Sequence, residues 1–239
     1  MFRAVLFDLD GTLIKFDPEL FVKTYLSAAG KFFADLVSSP TRFAEEVLKS
    51  TLTIEMADVA ETTVIEDFLA DFCPKFHYIS CKIIKERFEE FYKTKFDVVK
   101  PLIQPIEGAA ELVQKIRAKR QDIKIVLATN PVFPKIAIEE RMKWGGLQPE
   151  WFDLITHAEN FHYCKRNLKY WDEILEKIDV TPNSTLVVGN DVKRDLVAKR
   201  RGLKTFLVED TTENGDYLTE DIKPDFRGKI KDLERIVIL

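Results

Sequence analysis

At 239 residues the chain is long enough to bury a sizeable core, as one domain or as a domain carrying an insertion. Its net charge of −4, from 36 basic and 40 acidic residues, speaks against nucleic acid or an acidic membrane as partner. No apolar run approaches the roughly 20 residues of a membrane span, and the first core strand begins so early that no leader segment is expected. Cys73, Cys81 and Cys164 are odd in number and form no Cys-x-x-Cys pair, so free thiols in a reducing cytoplasm are expected.

The first element is an apolar strand, Ala4-Val5-Leu6-Phe7, that runs into Asp8-Leu9-Asp10-Gly11-Thr12. Side chains alternate faces along an extended backbone, so Asp8 and Asp10 converge only if the chain turns, and Gly11 permits that turn. Two converging carboxylates repel each other unless a cation lies between them or one stays protonated. The arrangement therefore implies a hard divalent cation, Mg²⁺, and a ligand that brings further oxygen atoms.

Residues 16–105 carry long amphipathic patterns at 20–36, 43–52, 64–72 and 81–92, with a single glycine, Gly30, and no strand alternation. They read as a helical insertion that returns through Pro101 and Pro105, a stiff connection. Eleven of the 18 phenylalanines lie here, and most are expected in the core of this segment. From 106 to 208 helix and strand alternate. Helices are expected at 107–120, 135–144, 168–178 and 193–201, and strands at 123–128, 152–156, 185–188 and 205–208. Such alternation means a parallel sheet with helices on both faces and ligands at the carboxyl ends of its strands. The polar stretch 210–225 is expected as a surface loop.

Three strand ends carry chemistry. They are Asp8-x-Asp10-Gly11-Thr12, then Thr129-Asn130 after Ile125-Val126-Leu127-Ala128, and Gly189-Asn190-Asp191 after Leu186-Val187-Val188, with Asp195 four residues on. Lys165 lies between the second and third. This ordered set resembles the haloacid dehalogenase superfamily of phosphohydrolases, over roughly residues 1–15 and 106–210. The resemblance implies an α/β fold, a Rossmann-like doubly wound parallel sheet formed by 1–15 and 106–239. It also implies that 16–105 form an all-helical cap domain that closes over the site and selects the substrate.

The resemblance also implies roles. Asp8 is the nucleophile that forms an aspartyl-phosphate. Asp10 protonates the leaving alcohol and then deprotonates water, and its main-chain carbonyl joins the Asp8 carboxylate on the metal. Thr129, Asn130 and Lys165 bind the phosphoryl group, with Pro131 suited to open a helix behind the first two. A proline commonly follows the lysine in the family, whereas Arg166 stands here, with Lys169 also near. For the last metal ligand two registers compete. Counting from Gly189 selects Asn190, and the four-residue acid spacing selects Asp191; the carboxylate of Asp191 is favoured as the better ligand for a hard cation. Asp195 is expected to hold Lys165 or a water on the metal. His157 and His162 flank Glu159 but lack the ligands of a zinc site, and Cys164 has no histidine partner for a catalytic thiol.

The expected activity is a Mg²⁺-dependent phosphatase of a small phosphorylated metabolite. A sugar-phosphate mutase would keep every core residue and differ in the cap, and a non-catalytic binding module would keep the fold alone. Oligomeric state is not readable from these features.

Overall fold

The computed structural model describes residues 1–58 and 61–238. Six parallel strands form the central sheet in the order β5-β4-β1-β6-β7-β8. They are β1 (Ala4–Phe7), β4 (Lys124–Leu127), β5 (Leu154–Ile155), β6 (Thr185–Gly189), β7 (Lys204–Val208) and β8 (Phe226–Gly228). β1 is fully buried because it is central and covered on both faces. Val5 and Phe7 face a cluster with Val113 and Ile116 of α5 (Ala109–Lys119), while Ala4 and Leu6 face Trp171 and Ile174 of α7 (Lys169–Ile178).

The register aligns Phe7 with both Leu127 and Val188, so β1, β4 and β6 release the chain at one edge. The chain proceeds from β1 to β4 and β5 on one side, then crosses to β6 on the other. β1 thus stands at the point where strand order reverses, where open α/β sheets form their ligand crevice.

A two-stranded antiparallel stem, β2 (Ile14–Lys15) with β3 (Gln104–Pro105), carries the helical insertion. It contains α1 (Pro18–Phe32), α2 (Pro40–Glu55), α3 (Val64–Phe72) and α4 (Cys81–Thr94). α1 and α2 begin earlier than the apolar patterns suggest, because Asp17 and Ser39 cap them and Pro18 and Pro40 take the first helical position. Eight of the eleven phenylalanines in 16–105 are buried, with Phe33 and Phe43 stacked at 4.2 Å, so the aromatic excess builds the core of the insertion. No helix among the described residues is long and apolar enough to cross a membrane.

Two expectations are corrected. Cys73 and Cys81 are not free thiols but form a disulfide: the turn between α3 and α4 brings their Cα atoms to 5.4 Å, so the case for a reducing compartment drawn from unpaired cysteines falls. Cys164 is free and buried. The helix expected at 193–201 is a 3₁₀ turn at Leu196–Arg201, because the Asp191 carboxylate takes the N–H groups of Lys193 and Arg194 and delays winding. The stretch 210–225 is the mostly exposed loop expected, and it is tied to the strand ends: Asn214 donates to Asp191 at 2.8 Å and the Thr211 hydroxyl donates to the Gly11 carbonyl.

Candidate active site

Asp8 is the first residue past β1, fixed by its N–H to the Val188 carbonyl at 2.9 Å. Leu9 then accepts from both Leu13 and Ile14, which turns the chain back over the strand end. Gly11 sits at φ +80°, and a Cβ there would run into the Asn190 side chain, so the turn needs glycine for conformation and for space. The Thr12 hydroxyl lies 3.2 Å from Asp8 Oδ2 and 3.2 Å from Asn190 Oδ1, which draws two oxygen acceptors from β1 and β6 together.

Lys165 is 1% exposed, in the segment that leads into α7. Its Nζ donates to Asp8 Oδ1 and to Asp195 Oδ1, both at 2.6 Å. Burial alone would lower its pKa, but the two carboxylates outweigh burial and raise it, so the lysine stays charged. Asp195 is fully buried, which raises its pKa, and the lysine opposes that rise. Its second oxygen accepts from Asp191 N at 2.9 Å. A Cβ at Gly189 would collide with this carboxylate, so glycine ends β6 to admit it.

Asp10 is held in a different grip, by Arg141. Both of its oxygens accept from Arg141 Nη1, at 2.9 and 2.7 Å. Burial raises the Asp10 pKa, Arg141 pulls it down and Asp8 pushes it up, with a net rise toward the protonated acid. Arg141 lies on α6 (Lys135–Trp144), is 1% exposed, and has its guanidinium 5.0 Å from the Phe133 ring centroid and 5.6 Å from that of Phe21. The sequence carried a signal for it: a lone arginine beside Ile138 and Met142 on the buried face of a helix needs an anion.

Thr129 and Asn130 end β4. The Thr129 carbonyl accepts from the hydroxyls of Thr156 at 2.6 Å and Tyr170 at 2.9 Å, which fixes this strand end from behind. Asn130 Oδ1 accepts from Lys165 N at 3.1 Å and its Nδ2 donates to Glu55 at 3.2 Å. Pro131 opens no helix. Val132 N bonds back to the Asn130 carbonyl in a tight turn, and α6 starts only at Lys135. Glu55 and Arg194 were not singled out from the sequence. Glu55 ends α2 and is buried, and its Oε1 accepts from Arg194 Nε at 2.9 Å and Nη2 at 2.7 Å.

The preference for Asp191 over Asn190 does not match the geometry. Asp191 spends Oδ1 on Lys193 N, Arg194 N and Asn214 Nδ2, and Oδ2 on Arg194 Nη1 at 3.1 Å. Asn190, the first residue past β6, is the one that shares a hydroxyl with Asp8. The physical reason is the loop: an acid at 191 closes an Asx turn on its own backbone, which swings it off the nucleophile. His157 and His162 pair separately, with Glu159 at 2.8 Å and Glu173 at 2.9 Å. Among the described residues no cluster of three or more His, Cys, Asp and Glu forms a metal cage.

A cavity of about 280 Å³ joins these groups. Six carboxylates line it (Asp8, Asp10, Glu55, Asp191, Asp195 and Glu213) against three cations, Arg141, Lys165 and Arg194. Burial and the nearby Asp191 charge raise the Glu213 pKa. Such an acidic excess with an all-oxygen donor set suits Mg²⁺, which takes one or two protein carboxylates and fills its shell with water and substrate oxygen. It does not suit zinc, which favours nitrogen and sulfur.

The profile of the family described as haloacid dehalogenase-like hydrolase matches residues 2–208. The pyrophosphatase PpaX of Bacillus cereus is 26% identical over 236 residues, which cover 97% of this chain and 94% of the relative. Among solved structures, the HAD phosphatase from Thermococcus onnurineus superposes with a TM-score of 0.60 at 20% identity, over 98% of this chain and 97% of its own. The Bacillus subtilis HAD-hydrolase YfnB, bound to magnesium, superposes with a TM-score of 0.58 at 19% identity, over 100% and 99%. Strand-end carboxylates, a buried lysine and a family match across most of the chain agree: this protein belongs to the haloacid dehalogenase-like hydrolases.

Proposed function

We propose that the protein is a Mg²⁺-dependent phosphatase of a small phosphorylated metabolite, working through an aspartyl-phosphate on Asp8. The observation that carries this reading is the Asp8 carboxylate, held by Lys165 at 2.6 Å and by Thr12 at 3.2 Å, with a second acid two residues on. One Asp8 oxygen attacks phosphorus in line and forms the acyl-phosphate bond as the phosphorus–oxygen bond to the alcohol breaks. The Asp10 proton goes to the leaving oxygen. Asp10 then takes a proton from water, whose oxygen attacks the same phosphorus and frees Asp8 and inorganic phosphate. The raised pKa of Asp10 suits the first step, and Arg141 stabilises the carboxylate that the first step leaves behind.

Thr129 and Asn130 bind the transferring oxygens at the end of β4, and Lys165 offsets the charge that builds on them. Asp8, the Asn190 amide oxygen and the Asp10 main-chain carbonyl would hold Mg²⁺, which when bound neutralises the repulsion between the phosphate and Asp8. The helical insertion 16–105 acts as a cap on the core formed by 1–15 and 106–239, and the cavity between them suits a small substrate. A mutase would use the same acids and need a site for a second phosphate.

Phosphate release from p-nitrophenyl phosphate, with and without Mg²⁺ and in Asp8→Asn, tests the reading. Release that requires both Mg²⁺ and Asp8 is expected. Equal release by Asp8→Asn would refute it, and isomerisation of a hexose phosphate without phosphate release would shift it to the mutase.

A further inference from the structure

The side of the cavity opposite the acids is built from α1 and α2, and it is apolar. Val22 and Leu26 from α1 and Val47, Leu48 and Leu52 from α2 line it. Three of these are uncovered: Val22 is 36% exposed, Leu48 38% and Leu52 52%. Leaving three aliphatic side chains in water beside a nucleophile forgoes burial free energy that a bound group would recover. Beyond Tyr25, Val47 and Phe133, which line both spaces, lies a second cavity of about 410 Å³ whose apolar wall is Ile54, Val64 and Phe68 and whose lining also carries Lys85, Glu66, Glu89 and Glu159. Tyr25 and Tyr92 bond to each other through their hydroxyls at 2.8 Å, so neither hydroxyl is left wanting a polar ligand on that account.

The charges point the same way. Glu55 is the charged residue that the helical insertion contributes to the active-site cavity. Two of the three cations of that cavity are committed within the core, Arg141 to Asp10 and Lys165 to Asp8 and Asp195, while Arg194 pairs with Asp191 of the core and with Glu55 of the insertion. A second phosphate, as in pyrophosphate or a bisphosphorylated sugar, would meet an anion and aliphatic carbon on the side where it needs a cation. A polyhydroxylated sugar would meet few partners for its hydroxyls.

From this juxtaposition we infer that the enzyme selects monophosphate esters of apolar alcohols, whose hydrocarbon lies on Val22, Leu26, Leu48 and Leu52 and extends past Phe133 into the second cavity. The inference rests on the phosphatase reading and narrows it. Leu48 and Leu52 set specificity without touching the reacting atoms.

The test is a series of n-alkyl phosphates from ethyl to octyl, with glycerol 3-phosphate and pyrophosphate as polar comparators. Leaving-group basicity barely changes along an n-alkyl series, so a slope in kcat/KM reads binding. A rise of about two- to fourfold per methylene is expected, the fold-change from burying hydrocarbon. The rise should be carried by KM and should flatten in Leu52→Asp, an exposed position where a polar residue does not disturb the core. A flat series, or preference for pyrophosphate over every ester, overturns the inference and leaves the phosphatase reading standing. If Leu52→Asp changes the sedimentation of the protein and not the series, the wall is a contact between copies and the inference fails. If no ester is hydrolysed the phosphatase reading fails instead. Calorimetry with hexylphosphonate and methylphosphonate in Mg²⁺ then decides the wall: tighter hexylphosphonate sustains it, and equal affinities refute it.

Discussion

At the scale of the residue, the site is organised by buried charges that need one another. Lys165 sits between two carboxylates, one of them Asp8, the proposed nucleophile, and all three are nearly or fully buried. Removing one partner of such a group leaves uncompensated charge, at a cost of about 3–5 kcal/mol. Lys165→Met is therefore expected to lose about that much stability in urea unfolding with EDTA present. Lys165→Met/Asp195→Asn should regain part of it, because one of the stranded anions is gone. If the double variant is no more stable than the single, the pair is not coupled as described. Asp8, Asp10 and Lys165 could be singled out from sequence because each belongs to a short local pattern at a strand end or ahead of a helix. Glu55 could not, because its partner Arg194 lies 139 positions away, and the buried-face pattern that marks Arg141 does not name its partner Asp10, 131 positions away. Asn190 against Asp191 was undecidable for a related reason: the choice depends on which side chain the loop backbone captures, and that capture is not visible in the letters.

Elements are held in register by a few polar clamps, and these make the fold respond to pH and to reductant. Asp153 accepts from Ile125 N at 2.8 Å and from Arg117 at 2.6 Å, tying β4 to α5 and to the segment before β5. Burial pushes its pKa up, but Arg117 and the Ile125 N–H more than offset this, so the folded value lies below the unfolded one. A depressed carboxylate stabilises the fold above its unfolded pKa of about 3.9, and the contribution is lost as pH falls through the lower folded value. Asp153→Asn should therefore be less stable than wild type at pH 7 by about 1–2 kcal/mol, and the gap should close toward pH 2–3 in thermal melts across that range. A gap independent of pH would mean that the charge contributes nothing. The Cys73–Cys81 bond closes a short loop in the insertion, separated by 8 positions, and its reduction is expected to cost about 2–3 kcal/mol. The check is the melting temperature with and without dithiothreitol, with Cys73→Ser/Cys81→Ser as the reference. Long, buried or strongly periodic elements such as β1, β6 and α3 were legible in the sequence. The strand expected at 152–156 is present as β5, shortened to two residues, whereas the edge strand β8, with three, was not legible, because a run that short carries no period.

For the molecule as a whole, the decisive relation is between the helical insertion and the sheet. The stem β2–β3 holds the insertion covalently, and Glu55 reaches back from the end of α2 to Arg194 and Asn130 beside the nucleophile. The presence of an inserted helical unit was legible in the loss of glycine and of strand alternation. Which of its residues touches the core was not, because α2 presents an apolar stripe and Glu55 falls just beyond the pattern at 43–52. This contact ties the insertion to the strand end that carries Asn130. Arg194 also holds Asp191, so the core end of the link is anchored and the insertion end is the one that yields. Glu55→Gln keeps the shape and removes the charge that gathers three donors. The expected loss is about 1 kcal/mol of local stability, read as a roughly fivefold rise in amide exchange across residues 40–55 with the sheet unchanged. Lys49, on the outward side of the same helix in an exposed pair with Glu46, supplies the control, and Lys49→Gln should leave exchange in 40–55 unaltered. Equal exchange in wild type and Glu55→Gln would mean that Glu55 does not help to hold α2 against the core. Faster exchange confined to α2 would identify Glu55 as the contact that substrate must loosen when its phosphate takes Asn130.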